Sequence, residues 1–416
     1  MIDAPAPVKV LSLNCWGLKY LAKHQEERLK AIAVRLSKGE CDIVALQEVW
    51  VDKDWLEIER KCNIAYPYRR RFRAGVIAGP GLCILLKWPI ESTFLYRFPI
   101  NGRPSAFFRG DWYVGKSLAV TIIDSGVPNA PKLAVLNSHM HAPYASDGDA
   151  AYLAHRTCQA WDMAKIHKVL RQAGYAIIQV GDLNCEPESL PHRIFKHEAG
   201  LADSWEVLHA GTDISRQRIA LMNPMDQIAK GGITCDSKLN TWRADRDLSE
   251  AKRLDFALFN SDRLTPIGAK VVFTELLQAP FLCSYSDHFG YTAEFAFTNM
   301  PNDTTVSRGS VELYDDIIDE VDSYLRRTIP FQKNWRLIHF LCSIVLVVAI
   351  QIAITFAADA AAWSSVLLSI VSALLAVTGV VNGLIGLISI QSEKNNIEEV
   401  KLEIFDAKRA LDCKCD

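Results

Sequence analysis

Polar residues that could face a phosphate or a metal ion follow a short apolar run near the middle of the chain. Residues 176–180 lie between two glycines and lead into Gly181-Asp182-Leu183-Asn184, which predicts a buried strand and a tight polar turn. Side chains alternate along a strand, so Asp182 and Asn184 point the same way. Alone, such a turn is more typical of a solvated strand end, so its chemistry depends on what other segments bring to it.

Other predicted strands also end in residues with catalytic chemistry. Strands are predicted at residues 8–13, 42–46, 82–86, 117–123, 133–137, 253–259 and 291–297, and helices at 26–36 and 150–171. The polar groups at or beside strand ends are Asn14, Glu48, His139, Asp182, Asp255, Asp287 and His288. Because strands and helices interleave, we expect an α/β or α+β domain with a site at the rim of its sheet.

These residue types suit metal-assisted attack of water on a phosphate ester. Glu48 is a hard oxygen ligand of the kind that Mg²⁺ prefers, and Asn14 can support its ligand shell. A histidine beside an aspartate is a general base, since the carboxylate fixes the tautomer and stabilises the imidazolium. His288 has two candidate partners for this role, Asp287 and Asp255.

The remaining polar groups complete a hydrolytic set. His139 is available as an acid or as a donor to phosphate, while Asp182 and Asn184 can orient water and contact phosphoryl oxygens. Each of these residues also has an ordinary structural explanation, such as a helix cap or a solvated side chain. Their combination at successive strand ends favours the catalytic interpretation.

Bulk composition excludes some classes of partner. The chain has 416 residues and a net charge of −2, which argues against non-specific attraction to nucleic acid. Its eleven cysteines are scattered without zinc-ligand spacing, and no signal peptide is visible at the N-terminus. We therefore expect free thiols in a domain that faces the cytosol.

The C-terminal part has the composition of a membrane anchor. An amphipathic helix is predicted at 311–329, and two nearly uncharged runs at 337–356 and 366–390 are long enough to span a bilayer. A buried hairpin of core helices is the less favoured alternative. Lys333 and Arg336 precede the first run, and Lys394 and Lys401 follow the second. By the positive-inside rule, the catalytic domain and the tail both face the cytosol.

The motifs together resemble the endonuclease/exonuclease/phosphatase superfamily over residues 8–298. The resemblance rests on Leu-Asn-Cys-Trp-Gly at 13–17, Leu-Gln-Glu-Val-Trp at 46–50, Ser-His-Met-His-Ala at 138–142, Gly-Asp-Leu-Asn at 181–184, Arg-Leu-Asp-Phe at 253–256 and Ser-Asp-His at 286–288. It implies an α/β four-layered sandwich of two packed β-sheets flanked by helices, followed here by a C-terminal two-helix transmembrane hairpin.

The resemblance also implies roles for individual residues. Mg²⁺ would bind at Glu48 with support from Asn14, and Asp287 would contact the metal shell. Asp255 would pair with the base His288. The phosphate would be lined by Asp182 and Asn184, with His139 as acid or transition-state donor.

Within the superfamily, the sequence is most similar to neutral sphingomyelinases and the related fungal inositol-phosphosphingolipid phospholipases C. Asn-Cys-Trp-Gly, Gln-Glu-Val-Trp, the doubled His139 and His141, and Tyr152-Leu-Ala-His-Arg156 are typical of that branch. The resemblance implies hydrolysis of sphingomyelin to ceramide and phosphocholine. The alternatives are an inositol-phosphosphingolipid or lyso-phospholipid phospholipase C and, less favoured, a DNA endonuclease, an inositol polyphosphate 5-phosphatase or a non-catalytic membrane adaptor.

One segment matches a nucleotide-binding pattern by letter only. Residues 110–117 fit G-x-x-x-x-G-K-S, but the loop carries Trp112 and Tyr113, and the β-branched run that follows predicts a strand rather than a helix. The resemblance implies instead that Asp111 and Lys116 belong to a loop that engages substrate. We expect Lys116 to meet the lipid phosphate, and His141 to contribute to substrate binding.

The division of the chain follows from these features. We expect a catalytic domain at 1–298, a linker and amphipathic juxtamembrane helix at 299–334, two transmembrane helices at 335–390 and a cytosolic tail at 391–416. The expected partners are a sphingolipid in an intracellular membrane, most simply the endoplasmic reticulum, and an anionic phospholipid activator. The sequence leaves open the headgroup, the organelle and whether the chain forms oligomers.

Overall fold

Two mixed six-stranded β-sheets form the centre of the molecule in the computed structural model, which describes residues 7–128, 130–298 and 310–412. The first sheet has the order β11-β12-β1-β2-β4-β3. Its strands are β1 (Val8–Asn14), β2 (Ile43–Gln47), β3 (Tyr68–Arg71), β4 (Cys83–Leu86), β11 (Leu264–Val272) and β12 (Gly290–Phe297). Only β1 and β2 run parallel to each other; the other neighbouring pairs of this sheet are antiparallel.

The second sheet repeats this plan. Its order is β5-β6-β7-β8-β10-β9, and β7 and β8 form its parallel pair. Its strands are β5 (Ile90–Arg97), β6 (Ser117–Ile123), β7 (Leu133–His139), β8 (Ala176–Asp182), β9 (Ala202–Asp203) and β10 (Asp255–Phe259). Each sheet thus has a central parallel pair whose carboxyl ends lie at one edge.

Helices cover the outer face of each sheet. On the first sheet, α1 (Gln25–Leu36) and α2 (Asp52–Cys62) bury apolar residues such as Ile32 and Ile58. On the second sheet, α4 (Leu153–Gln172) is buried along most of its length. The short helices are α3 (Asp111–Val114), α5 (Leu190–Arg193), α6 (Ser204–Leu208), α7 (Arg216–Ala220) and α8 (Pro224–Gly231). The predicted four-layered sandwich is confirmed.

The two sheets pack face to face through a shared core. Apolar side chains of both inner faces interdigitate, including Val10 and Ile84 from the first sheet and Val135 and Ile178 from the second. A buried pair of amides also crosses this core. Gln47 Nε2 donates to Asn137 Oδ1 at 2.8 Å, and Asn137 Nδ2 donates to two main-chain carbonyls of the first sheet. These bonds hold the two sheets in register beside the site.

The C-terminal part consists of two long helical arms. The first comprises α9 (Val311–Ser323), a π-helical turn (Tyr324–Thr328) and α10 (Ile329–Ala360). The second comprises α11 (Ala362–Leu384), another such turn (Ile385–Ser389) and α12 (Ile390–Asp412). Each arm contains a stretch that is apolar enough to cross a membrane, and only 6% and 11% of these two stretches are buried. The two apolar stretches are therefore not core helices of the catalytic domain.

The ends of this hairpin pack against the catalytic domain. Ile317 of α9 and Ile397 and Ile404 of α12 are buried in the same core as Trp161 of α4. Trp161 Nε1 also donates to Glu403 Oε2 at 2.8 Å. The predicted domain boundaries stay a prediction; residues 299–309 of the predicted linker and 413–416 of the predicted tail lie outside the described residues.

The segment with the phosphate-loop pattern has a different structure. Asp111–Val114 is one helical turn, and Ser117–Ile123 is a strand, as the sequence predicts. The motif therefore lacks the strand before it and the long helix after it that phosphate binding in this mode requires.

Candidate active site

Strand register brings the predicted site residues to one edge of both sheets. In the second sheet, Asp182 is the direct partner of His139 on one side and of Asp255 on the other. In the first sheet, Asn14 pairs with Gln47, so Glu48 is the next residue beyond the end of β2. These positions follow from strand pairing alone, because the polar residues are the last or first of their strands.

Two glycines allow the backbones to approach closely here. Gly181 lies between Val180 and Asp182 with φ +136°, and a Cβ there would lie 1.9 Å from the carbonyl oxygen of Ser138. A Cβ at Gly17 would lie 2.2 Å from the carbonyl oxygen of Glu48. Any larger residue at either position would push apart the strands that carry the site.

The amide of Asn14 joins the two sheets at the site. Its Nδ2 donates to Glu48 Oε1 at 3.1 Å and to Asp182 Oδ2 at 3.0 Å. Its Oδ1 accepts from the main-chain N–H of Trp16 at 3.0 Å, which fixes the orientation of the amide. Asn14 thereby holds two buried carboxylates close together.

His288 and Asp255 form a buried pair. His288 Nδ1 lies 2.9 Å from Asp255 Oδ2, and His288 Nε2 lies 3.7 Å from Asp182 Oδ2. Burial opposes a charge on His288, but Cys235, Asp255 and Asp182 outweigh it and raise the pKa of His288 well above its ordinary value. Of the two partners that the sequence left open, Asp255 is the one that contacts the ring.

His139 stands on the opposite side of Asp182. Its Nε2 lies 3.5 Å from Asp182 Oδ2 and 3.9 Å from Glu48 Oε1. Burial and the nearby Lys116 lower the pKa of His139 well below its ordinary value. The ring is therefore neutral at physiological pH and suited to donating a hydrogen bond.

Glu48 has the environment of a metal ligand. Burial and the nearby Asp287 raise the pKa of Glu48 to about 7, and its backbone has φ +59°, a strained value for a residue of this type. Its only close side-chain donors among the described residues are Asn14 and, at 3.5 Å, Trp50 Nε1. A largely buried carboxylate without a strong cationic partner, with the Asp287 carboxylate nearby, fits a hard divalent cation.

Asp287 and Asn184 flank this centre. Asp287 Oδ2 accepts a hydrogen bond from Arg243 Nη2 at 2.6 Å. Asn184 adopts φ +45°, and its Nδ2 donates to the carbonyl of Met140 at 3.0 Å. Its main-chain N–H donates to Asp182 Oδ1 at 3.1 Å. The turn therefore orients Asp182, and the side chain of Asn184 lies on the wall of the cleft.

One open cleft of about 580 Å³ is lined by Asn14, Glu48, His139, Asp182, Asn184, Asp287 and His288. Asp255 is not part of this lining. The wall of the cleft also includes Asp111 and Lys116, which are almost fully buried and lie 3.3 Å apart. Tyr144 donates to Asp111 Oδ2 at 2.5 Å. Lys116 thus reaches the cleft from the segment at residues 110–117.

His141 lies behind this wall rather than in the cleft. It is 1% exposed, stacks on Tyr152 with ring centroids 4.0 Å apart, and its Nε2 is 3.9 Å from Asp111 Oδ2. The structure therefore brings together every predicted site residue but gives His141 a supporting position beneath Asp111.

Eight further residues of the cleft, most of them polar, were not predicted from the sequence. They are Trp50, Arg109, Tyr144, Asp236, Arg243, Arg246, Glu250 and Lys252. Most of them belong to the irregular segment between α8 and β10. The arginines of Trp242-Arg-Ala-Asp-Arg246 are the one sequence signal that pointed to this segment.

A second acidic cluster lies outside the cleft. One ligand atom from each of Glu188, His192 and Glu206 lies within 4.8 Å of the others. Lys196 Nζ already pairs with both carboxylates, at 2.7 and 3.0 Å. Lys196 thus already occupies the space between the two carboxylates as their cationic partner.

Comparisons with known proteins agree with this fold. The model of the Endonuclease/Exonuclease/phosphatase family matches residues 11–288. The inositol phosphosphingolipids phospholipase C of Saccharomyces cerevisiae is 46% identical over 97% of this chain and 91% of its own. Sphingomyelin phosphodiesterase 2 of Rattus norvegicus is 35% identical, over 48% of this chain and 46% of its own.

A solved structure supports the architecture of the sandwich. Sphingomyelinase C from Streptomyces griseocarneus superposes with a TM-score of 0.51 at 18% identity, covering 69% of this chain and 99% of that one. At this identity the likeness concerns the fold alone. The family match runs from within β1 to His288 and includes every candidate site residue described above, so this chain belongs to the Endonuclease/Exonuclease/phosphatase family.

Proposed function

We propose that this protein is a membrane-anchored phospholipase C that cleaves phosphosphingolipids to ceramide and a phosphorylated headgroup. The observation that carries the proposal is the buried His288–Asp255 pair, which faces Asp182 in a cleft that also holds Glu48 and Lys116. The names of the relatives supply the substrate class.

His288 is the general base of this reaction. Asp255 holds its Nδ1 at 2.9 Å, so Nε2 is the atom directed towards the cleft and towards the attacking water. The neutral ring is the form that accepts this proton, and Asp255 and Asp182, which raise the pKa of His288, stabilise the imidazolium that then forms. The bond between phosphorus and the ceramide oxygen breaks, this oxygen takes up a proton from water to give ceramide, and the phosphate stays with the headgroup.

The phosphate lies among donors in this proposal. Neutral His139 donates through Nε2, Asn184 donates through its side-chain amide, and Lys116, which also lines the cleft, offers a positive charge. Together they stabilise the charge that develops on the phosphoryl oxygens. Asp182 orients the attacking water between His288 and this phosphate.

Glu48 and Asp287 are the residues that would hold a divalent cation, and Asn14 would support Glu48 through the hydrogen bond from its Nδ2. The family generally uses such an ion. We propose Mg²⁺ because the candidate ligands are few and are carboxylate oxygens. A bound Mg²⁺ would offset the negative charge of the phosphate. Asn14 keeps Glu48 and Asp182 in position for it.

For the headgroup, we propose inositol phosphate ahead of phosphocholine, which the sequence analysis placed first. The relative that matches 97% of the chain is named for inositol phosphosphingolipids, whereas relatives named for sphingomyelin match 48% or 70% of it. The cleft also favours a polyol: it carries Arg243, Arg246 and Glu250, while its aromatic lining among described residues is Trp50 and Tyr144. Choline is usually bound by a cage of several aromatic rings.

The hairpin supports a membrane location for this activity. Both of its ends pack on the catalytic domain, so the domain and both ends of the hairpin lie on one side of the bilayer. Lysines and arginines at these ends favour the cytosolic side. An enzyme tethered in this way meets its lipid at high effective concentration. The endoplasmic reticulum and an anionic phospholipid activator remain predictions.

A substrate panel tests the proposal. The full chain in lipid nanodiscs is incubated with inositol phosphosphingolipid, sphingomyelin, lyso-phospholipid, abasic DNA and an inositol polyphosphate, each with Mg²⁺ or EDTA. We expect Mg²⁺-dependent release of ceramide, fastest from the inositol lipid. Faster turnover of sphingomyelin would reverse the choice of headgroup, and cleavage of DNA alone would overturn the lipid proposal.

A further inference from the structure

Four large apolar side chains lie exposed beside the mouth of the cleft. Phe108 is 104% exposed and Phe107 62%, while Val76 and Ile77 are 69% and 77% exposed. We call these four residues the apolar rim. Arg109, Gly110 and Asp111, which follow Phe108 directly, already line the cleft. Contiguous exposed apolar groups of this kind mark an interaction surface.

Two separate loops are joined to form this rim. The main-chain N–H groups of Val76 and Ile77 both donate to the carbonyl of Tyr113, at 2.9 and 3.2 Å. The ring of Phe107 stacks on that of Tyr113, with centroids 5.5 Å apart. Tyr113 belongs to the helical turn that carries Asp111. The rim is therefore held in place by contacts with the helical turn on the wall of the cleft.

The same loop is attached to the base of the hairpin. Arg103 donates to Tyr324 Oη at 2.5 Å and lies 3.5 Å from Glu393, so it contacts both arms of the hairpin. Ser105 Oγ accepts from Arg336 Nη2 at 2.6 Å. Arg336 is the last charged residue before the apolar span of α10 begins at Leu337. The rim thus lies a few residues from the point where that span starts.

We propose that the apolar rim inserts into the surface of the bilayer in which the hairpin is anchored, and so places the mouth of the cleft at the level of the lipid headgroups. The inference rests on the membrane insertion proposed above. Its occupant is the bilayer because exposed apolar residues of the span in α10, such as Ile338 and Leu341, follow within a few residues of Arg336, which holds the rim loop. Phenylalanine side chains at such a boundary bury apolar area in the interface.

Depth-dependent quenching tests the insertion directly. The full chain is placed in nanodiscs that contain lipids brominated near the top of the acyl chains, and Phe108→Trp is compared with wild type and with Ile64→Trp. Ile64 is a matched control, being 91% exposed at the far end of α2. We expect the emission added by Phe108→Trp to be quenched and that added by Ile64→Trp to be unchanged.

A kinetic comparison supplies a second readout. In the double variant Val76→Ser/Phe108→Ser, kcat/KM for substrate in a bilayer should fall about tenfold, as expected for loss of two apolar contacts with lipid. For a short-chain, monomeric substrate it should stay within about twofold of wild type. Ile64→Ser should change neither rate.

Defined outcomes would overturn the inference. One is equal quenching of the two tryptophan variants, and another is an equal fall of both rates in the double variant. Unquenched but blue-shifted emission from Phe108→Trp would assign the rim to a protein partner or a second copy of this chain. The quenching does not require turnover, so a failure of the proposed phospholipase activity would leave this test valid.

Discussion

Asn14 Nδ2 and Asp182 Oδ2 lie 3.0 Å apart, and this hydrogen bond joins the end of a strand in one sheet to the end of a strand in the other. The same amide nitrogen binds Glu48, the residue we propose as the metal ligand. Asn14 therefore sets the distance between Glu48 and Asp182, the carboxylate that lies beside His288.

Replacing the proposed base should abolish turnover without unfolding the protein. His288→Ala removes the proton acceptor, and we expect kcat to fall about 10³-fold or more, within the range of general acid–base contributions. Asp255→Asn keeps the size of the partner but removes its charge, so kcat should fall while KM changes little. Initial rates on lipid in nanodiscs measure both. Cys342→Ser, an exposed thiol outside the catalytic domain, serves as the control and should retain wild-type rates.

Glu48 should control metal binding more than substrate binding. Wild-type protein should gain thermal stability on addition of Mg²⁺, because the ion binds the folded state only. Glu48→Gln keeps the volume of the side chain but removes the negative ligand, so this gain in Tm should disappear, with activity lost at ordinary Mg²⁺ concentrations. Lys116→Ala should keep the gain. A metal-induced shift of wild-type size in Glu48→Gln would show that the ion binds elsewhere.

Lys116 should act directly on the phosphate in the cleft. Lys116→Ala removes a buried charge 3.3 Å from Asp111, and we expect turnover to fall about 10²-fold, as for loss of one donor to a developing oxyanion. Stimulation by anionic phospholipid should also disappear. The measurement is the rate in nanodiscs with and without anionic lipid. Unchanged rate and stimulation would refute the role of this loop.

Glu393 should hold the hairpin onto the catalytic domain. It is 7% exposed and lies 3.1 Å from His155 and 3.5 Å from Arg103. Glu393→Ala leaves these groups without their buried partner, which should cost about 3 kcal/mol. A lower Tm and faster protease cleavage within α12 measure this loss. Glu398→Ala, on the same helix but with an exposed ion pair to Lys394, should behave as wild type.

The sequence was sufficient for the interior of the sandwich but not for its edges. All strands inside the two sheets were predicted, whereas the missed strands β3, β5, β9 and β11 are the four edge strands. An inner strand is buried on both faces and has a continuous apolar run, while an edge strand needs no such run. The arginines of β3 illustrate this, since Arg69, Arg70 and Arg71 read as a charged surface segment.

The site could be predicted because its chemistry lies at strand ends. Asp182 and His139 each follow an apolar run, so local pattern was enough to find them. Arg243 and Arg246 follow no such run and reach the cleft only through long-range folding of an irregular segment. The docking of α12 was invisible for the same reason, because Glu403 and Trp161 meet across 242 residues of sequence.

The path of the oxygen atom tests the central claim most directly. The full chain hydrolyses inositol phosphosphingolipid in water enriched in ¹⁸O, and mass spectrometry follows the label in both products. Attack of water on phosphorus, with ceramide as the leaving group, predicts one ¹⁸O atom in the released headgroup phosphate and none in ceramide. Label in the ceramide hydroxyl, or release of ceramide phosphate with the free headgroup, would contradict the proposed reaction.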